Sequence, residues 1–314
     1  MIAACAYCIS ALGVLLGFFS TLAHAQQALD VPSLDGVNLK AWKFDPKPSS
    51  NPTLPTASKI PTNSPQPVVI ALHGCGGLYA TSGARKGLLN ARHQAMGEML
   101  AAQGYHVVFP DSLTPRGETS LCVQTIGSRK ITQRERRADA LGTLAWVRKQ
   151  PWADPARVAL LGWSHGGSAV LAATDIQHAQ VKASGAPPIT AIAFYPGCSE
   201  SLKNGYMPNT PLTLLLGADD DWTPSGPCAE LAEGLMHSNG ARVGPTAPMR
   251  PRVAYVSYAG AVHDFDNPLP SVREHKDIPS RLHPGKGVMA GQHPVAREDS
   301  WQRVRGVLAE AFKP

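Results

Sequence analysis

VALLGWSHGGSAVLA, residues 158–172, decides how the rest of the chain is read. Residues 158–161 are an apolar run suited to a buried strand. Gly162, Trp163, Ser164, His165, Gly166 and Gly167 follow, and then a second apolar stretch with helical spacing. A strand, a tight turn and a helix in immediate succession leave a serine at the apex. Glycines two residues to either side of Ser164 admit a backbone that a Cβ would obstruct. In this setting G-x-S-x-G reads as a nucleophile elbow rather than an ordinary glycine-rich turn. The turn lifts the hydroxyl above the edge of a sheet, and the helix behind it aims free amides and its positive dipole end at any oxyanion forming there.

Outward from the elbow, apolar runs of strand length occupy 68–72, 105–109, 189–194, 212–216 and 252–258. Helix-like spacing fills 86–102, 133–149, 165–176, 228–237 and 296–312. Strands and helices taking turns at this interval predict βαβ units. The expected fold is α/β, with a mostly parallel central sheet covered by helices on both faces and one catalytic domain over 67–314. Upstream, 37–44 is a short strand candidate in which Val37, Leu39 and Ala41 alternate with polar residues. Residues 45–66 carry Pro46, Pro48, Pro52, Pro55, Pro61 and Pro65 among Ser, Thr and Asn. That proline density predicts an exposed extended segment inserted between outer strands, since the part of 26–66 before it is too short to fold alone.

The chain has 314 residues, 43% hydrophobic and 17% charged, enough for one sizeable core. Its net charge of +6 is spread along the sequence and diluted by 23 acidic residues, with no basic tail and no aromatic–basic interleaving, so a nucleic-acid partner is not expected. Arg134, Arg136 and Arg137 near Glu135 and Asp139 read as a solvated helix face. Residues 9–23 form an apolar run ending in Ala23-His24-Ala25, which resembles a secretory signal peptide over 1–25, cleaved after Ala25, although no Lys or Arg precedes the run. The alternative is an uncleaved membrane anchor, for which the run is short. Cleavage leaves no stable membrane insertion and a secreted or periplasmic protein. Cys5 and Cys8 are removed, and Cys75, Cys122, Cys198 and Cys228 remain in a compartment where disulfides persist. Of the three connectivities, Cys75 with Cys122 and Cys198 with Cys228 is preferred, because a parallel sheet brings the loops of each pair to one edge.

Functional groups of such a sheet collect in loops beyond the carboxyl ends of its strands. After 68–72 comes His73-Gly74-Cys75-Gly76-Gly77, a turn able to offer the Cys75 amide to a substrate carbonyl oxygen while the His165 amide supplies a second donor. A cysteine nucleophile at 75 is disfavoured, because no helix follows it and the elbow already offers a serine. After 212–216 comes Gly217-Ala218-Asp219-Asp220-Asp221-Trp222-Thr223-Pro224, where an acid could hold a histidine in one tautomer. Asp220, three residues past the glycine and four before the proline, is preferred over Asp221 and Asp219, which would cap the following turn or helix. After 252–258, Ala259-Gly260-Ala261-Val262-His263-Asp264-Phe265 puts His263 on a small-residue loop that can reach Ser164 and take its proton. Of the remaining histidines, His73 reads as structural and His165 as turned aside. His275, His283 and His293 lack ligand spacing, so neither metal nor cofactor is expected.

The sequence order Ser164, Asp220, His263 is that of α/β-hydrolases. Together with Pro110-Asp111-Ser112 and Pro115-Arg116-Gly117, these motifs resemble the dienelactone hydrolase family over roughly 67–312. The resemblance implies an α/β-hydrolase fold and a Ser-His-Asp triad. Dienelactone hydrolases proper carry a cysteine nucleophile in a cytoplasmic enzyme, whereas this chain has Ser164 and an export signal. Its substrate class therefore widens to small-molecule or polymer esters of sugars or aromatic acids. Trp163, Trp222 and Arg116 are candidate pocket residues, with a salt bridge to the loop around Asp111 as the stronger reading of Arg116. The expected activity is hydrolysis of a carboxylic ester or lactone through an acyl-enzyme. An acyltransferase or peptidase on the same triad, or a non-catalytic binding protein on a hydrolase scaffold, are the alternatives. Nothing in the sequence sets the oligomeric state.

Overall fold

The computed structural model describes residues 26–47, 64–125, 127–240, 252–269, 271–280 and 282–313. The signal peptide and most of the proline-rich segment expected from the sequence lie outside these residues. In chain order the strands are β1 (Gln27–Pro32), β2 (Asn38–Phe44), β3 (Gln66–Leu72), β4 (His106–Pro110), β5 (Ala153–Trp163), β6 (Thr190–Phe194), β7 (Leu212–Gly217), β8 (Val253–Tyr258), β9 (Arg273–Pro279) and β10 (Gly287–Ala290). The helices are α1 (Ala91–Ala102), α2 (Gln133–Val147), α3 (His165–Thr174), α4 (Ala179–Ala183), α5 (Ser199–Lys203), α6 (Gly226–Gly240) and α7 (Pro294–Ala311). None of the described helices is long and apolar enough to cross a membrane.

Eight strands form one sheet in the order β1-β2-β4-β3-β5-β6-β7-β8. β1, β2 and β4 pair antiparallel at one edge, and every pair from β4 to β8 is parallel. Side chains alternate between the two faces of a strand, and both faces here are covered, so the central strands carry runs of apolar residues rather than a polar–apolar alternation. Val68, Ile70, Leu72, Val158 and Leu160 enter one core with Leu141, Leu144, Val170 and Leu231 from α2, α3 and α6. Val69, Ala71, Ala159, Leu161 and Trp163 enter the opposite core with Met96, Leu100, Val304 and Leu308 from α1 and α7. The elbow's strand β5 therefore lies in the middle of the sheet.

From β3 the chain steps outward to β4 and returns to β5 on β3's other side. The loops leaving β3 and β5 thus diverge at the switch point, where open parallel sheets form their crevice. Two departures from the sequence expectation have local causes. α1 begins only after Asn90, whose side chain accepts from the His93 amide at 3.0 Å, because Gly87 takes φ +80° and breaks the helical run from 86. β1 and the β9–β10 hairpin were not expected. β1 buries only Val31, and β9 buries only Ile278, so neither carries the apolar alternation that announces a strand.

Candidate active site

Ser164 lies between β5 and α3, at the N-cap position of the helix, with φ 51° and ψ −117°, a backbone region that costs about 1–3 kcal/mol outside glycine. The neighbours hold it there. Its amide donates to the Phe194 carbonyl at 2.9 Å, and its carbonyl accepts from the Ser168 amide at 2.9 Å. A Cβ on Gly166 would run into the carbonyls of Leu72 and His73, and one on Gly167 would stand 2.9 Å from the Phe194 oxygen. These glycines let α3 turn back against the ends of β3 and β6, which leaves the serine hydroxyl at the crest.

The side chains expected to meet Ser164 converge on it from loops far apart in sequence. Ser164 Oγ lies 2.9 Å from His263 Nε2, and His263 Nδ1 lies 2.7 Å from Asp220 Oδ2. Asp220 only accepts, so Nδ1 carries a proton toward it and Nε2 presents a lone pair to the hydroxyl. Asp220 is fixed in turn, since its Oδ1 accepts from the amides of Trp222 at 2.9 Å and Thr223 at 2.8 Å. Thr223 Oγ1 lies 2.9 Å from Asp220 Oδ2 and 3.0 Å from the Tyr195 carbonyl. All three groups are nearly buried, with 6%, 2% and 1% of Ser164, Asp220 and His263 exposed. Burial lowers the His263 basicity, but the Asp220 carboxylate more than offsets it and leaves the imidazole above its usual range. Among the described residues, neither neighbouring aspartate makes a capping hydrogen bond to the following turn or helix. Asp221 accepts from the Met289 amide at 2.8 Å and fastens β10 beside the site, while Asp219 is exposed.

Cys75 sits on the loop after β3, where Gly74 passes so close to the elbow that its Cβ would stand 3.6 Å from that of Ser164. The Cys75 and His165 amides take no acceptor among the described residues. The His165 ring is nearly buried, and burial with Arg136 and Arg129 nearby holds it well below the ordinary imidazole range and hence neutral. His73 bridges the loop, with Nδ1 2.8 Å from the Gly74 carbonyl and Nε2 accepting from the Ser112 amide at 3.1 Å. Two disulfides close, Cys75–Cys122 and Cys198–Cys228.

Several expectations are corrected. Trp163 is completely buried between Phe109 and Phe194 and donates its indole hydrogen to Asp266 at 2.8 Å, so it supports the elbow from below rather than lining a pocket. Arg116 pairs with Asp139 at 2.7 Å and Asp35 at 2.6 Å and donates to the Ser112 carbonyl at 2.8 Å. It therefore joins the loop after β4 to α2 and to the turn after β1, and takes its ion pairs from those elements rather than from Asp111. Arg136 is fully buried and donates to the His73 carbonyl at 2.6 Å, while Arg134 is exposed. The helical period turns that one arginine inward. Trp222 remains half-buried, with its ring 4.7 Å from His263 and 6.0 Å from His275. His293 caps α7 by accepting from the Ala296 amide at 3.2 Å. Among the described residues no three His, Cys, Asp or Glu side chains are grouped to hold a metal ion.

Sequence reasoning missed the group behind His263. Arg92 of α1 lies 2.5 Å from Asp264 and donates to the Tyr195 hydroxyl at 2.7 Å; that hydroxyl donates to Asp266 at 2.5 Å. The Tyr195 ring packs 4.6 Å from the His263 ring. Burial raises the Asp264 carboxyl, but Arg92 and then His263 outweigh it and bring it down to about 2. Asp266, completely buried, is instead pushed up by burial. Tyr195 and Asp264 both take positive φ, 35° and 62°. The signal was two aspartates spaced around Phe265 immediately after His263, in a loop otherwise made of small or apolar residues.

A cavity of about 370 Å³ opens between the loops after β3 and β4, lined by Leu78, Tyr79, Leu113, Thr114 and Thr119. It flanks the Cys75 loop and does not include Ser164.

A model of the dienelactone hydrolase family matches residues 54–312. Among solved structures, the fold is shared with a putative dienelactone hydrolase from Klebsiella pneumoniae at 18% identity and TM-score 0.58, over 91% of this chain and 99% of that one. A dienelactone hydrolase-like promiscuous phosphotriesterase from metagenomic libraries matches at 18% identity and TM-score 0.60, over 92% and 100%. Esterase 2 of Thermogutta terrifontis, phosphorylated by paraoxon, matches at 16% and 0.59, over 92% and 96%. None of the curated proteins matches the chain significantly.

Proposed function

Because the chain belongs to the dienelactone hydrolase family, we propose that it is a carboxylic ester hydrolase working through Ser164, His263 and Asp220. The observation that carries the reading is one imidazole 2.9 Å from a serine hydroxyl and 2.7 Å from a buried carboxylate. Ser164 Oγ attacks the acyl carbon as His263 Nε2 takes its proton, and Asp220 stabilises the imidazolium that results. The tetrahedral oxygen gains negative charge in front of the Cys75 and His165 amides, which have no competing acceptor among the described residues. Collapse expels the alcohol, which leaves with the proton from His263. Water then attacks the acyl-serine with His263 as base, releasing the acid and regenerating the hydroxyl.

The substrate is a small-molecule or polymer ester, or a lactone, in which one bond is exchanged for water and no cofactor takes part. Trp222 beside His263 offers an aromatic face to the departing group. The protein acts outside the cytoplasm, after removal of residues 1–25. Two disulfides support that reading, since such bonds persist in oxidising compartments.

Ser164→Ala is expected to abolish hydrolysis of a short p-nitrophenyl ester and labelling by a fluorophosphonate, with circular dichroism unchanged. Turnover retained by the folded variant would remove Ser164 from the mechanism. A panel of alcohol acceptors and peptides, run beside the esters, separates hydrolysis from acyl transfer and proteolysis.

A further inference from the structure

The loop offering the Cys75 amide contains Gly74, Gly76 and Gly77, and glycine gives a chain the widest choice of conformations. An oxyanion donor needs the opposite, a position held to within a fraction of an ångström. Four attachments restrain this loop. Arg136 donates to the His73 carbonyl at 2.6 Å before the donor. The Leu121 amide donates to the Cys75 carbonyl at 2.8 Å, and Cys75 Sγ is bonded to Cys122 with the two Cα atoms 5.0 Å apart. Gly77, at φ +80°, packs where a Cβ would meet the Thr119 carbonyl at 2.6 Å. The last three attachments all come from residues 119–122, within the long connection from β4 to α2, which among the described residues has a single helical turn, a 3-10 turn at Thr114–Arg116. Only one of them is covalent.

We propose that Cys122 is a positioning residue for ester hydrolysis: its bond to Cys75 holds the Cys75 amide where the oxyanion forms, and reduction of that bond slows the chemical step. The proposal rests on the esterase reading above. Reduction consumes one equivalent of a dithiol. A reagent thiolate attacks one sulfur to form a mixed disulfide, and the second reagent thiol displaces it. Two electrons and two protons thus pass to Cys75 and Cys122 while the dithiol closes to its own disulfide. The hydrogen bonds from Arg136 and Leu121 remain, so the loop stays near the elbow but gains freedom. An error of about 1 Å in such a group costs on the order of 100-fold in rate. The interaction strengthens only in the transition state, so kcat changes while KM does not.

The test uses a Cys198→Ala, Cys228→Ala variant, so that dithiothreitol addresses one bond, and Cys122→Ala in the otherwise unaltered protein. If one of these does not fold, the other supplies the comparison. Bond state is read by thiol labelling and mass spectrometry, folding by near-ultraviolet circular dichroism, and activity by kcat and KM on a short p-nitrophenyl ester. A boronic acid, which mimics the tetrahedral intermediate at Ser164, serves as the binding probe. Breaking the bond is expected to lower kcat at least tenfold and weaken the boronate by a similar factor. KM should stay within about twofold, and reoxidation should restore the rate. Unchanged kcat after verified reduction overturns the proposal, as does a loss of rate that only tracks unfolded protein. If the oxidised wild-type protein hydrolyses no ester, the esterase reading itself falls, and this proposal with it.

Discussion

Replacing Asp220 by Asn tests the acid–base assignment at the level of a single proton. In the wild-type protein Asp220 Oδ1 accepts from the Trp222 and Thr223 amides, which leaves Oδ2 facing His263 Nδ1 at 2.7 Å. An asparagine must keep its oxygen toward the two amides, because an NH2 group there would face donors. Its NH2 then occupies the Oδ2 position and donates to Nδ1; Thr223 can turn its own hydroxyl hydrogen to the Tyr195 carbonyl, 3.0 Å away. The imidazole proton is thereby driven to Nε2, the atom 2.9 Å from Ser164 Oγ, where a lone pair is required. The wrong tautomer costs about 10⁴ in kcat, or roughly 5.5 kcal/mol of barrier. The assay is kcat and kcat/KM on a p-nitrophenyl ester across pH. Wild-type kcat/KM should fall toward acid with a midpoint above 6.5, because Asp220 raises the His263 value. In the asparagine variant the midpoint should move lower, since burial persists without the carboxylate. The raised value also implies that the pair's contribution to stability is complete below pH 6.5 and fades as pH rises through the folded-state value. A variant within tenfold of wild-type kcat, with the acid limb unmoved, would refute the reasoning.

Arg92→Met leaves Asp264 and Asp266 without their shared cation and is expected to destabilise the fold by about 3–5 kcal/mol in urea denaturation. Part of that cost is pH-dependent: Asp264 has a folded value of about 2 against an ordinary 3.8, so its ion pairing stabilises fully above 3.8 and is lost as pH falls toward 2. The gap between wild type and variant should therefore narrow in acid, and a gap independent of pH would show that Arg92 acts through packing alone. Gly166→Ala puts a Cβ against the His73 and Leu72 carbonyls, which must move the elbow relative to β3. A kcat at least 100-fold below wild type is expected for the folded variant, and near-normal turnover would mean that the crest tolerates displacement.

The legible part of this protein is the part written in local rules. Two-sided burial gives the central strands β3 to β7 apolar runs, so they could be placed from the hydrophobic pattern of the chain. The elbow needs small residues at fixed offsets, which made Ser164 visible, and the loops that follow strand ends pointed to Asp220, His263 and Cys75. The cysteine pairing followed from the same edge, because parallel strands bring their outgoing loops together. What the chain alone could not express were contacts between distant side chains with no periodic signature. Trp163 was legible as part of the motif, yet its burial depends on Phe109, Phe194 and Asp266, which come from three other segments. Arg136 read as part of a solvated helix face and Arg92 drew no reading, and only packing showed that each is enclosed and bound to the loops beside Ser164 and His263. Hydrophobic pattern reports which face of an element is covered. Which buried charge answers which is settled only when the whole sheet brings its loops to one rim.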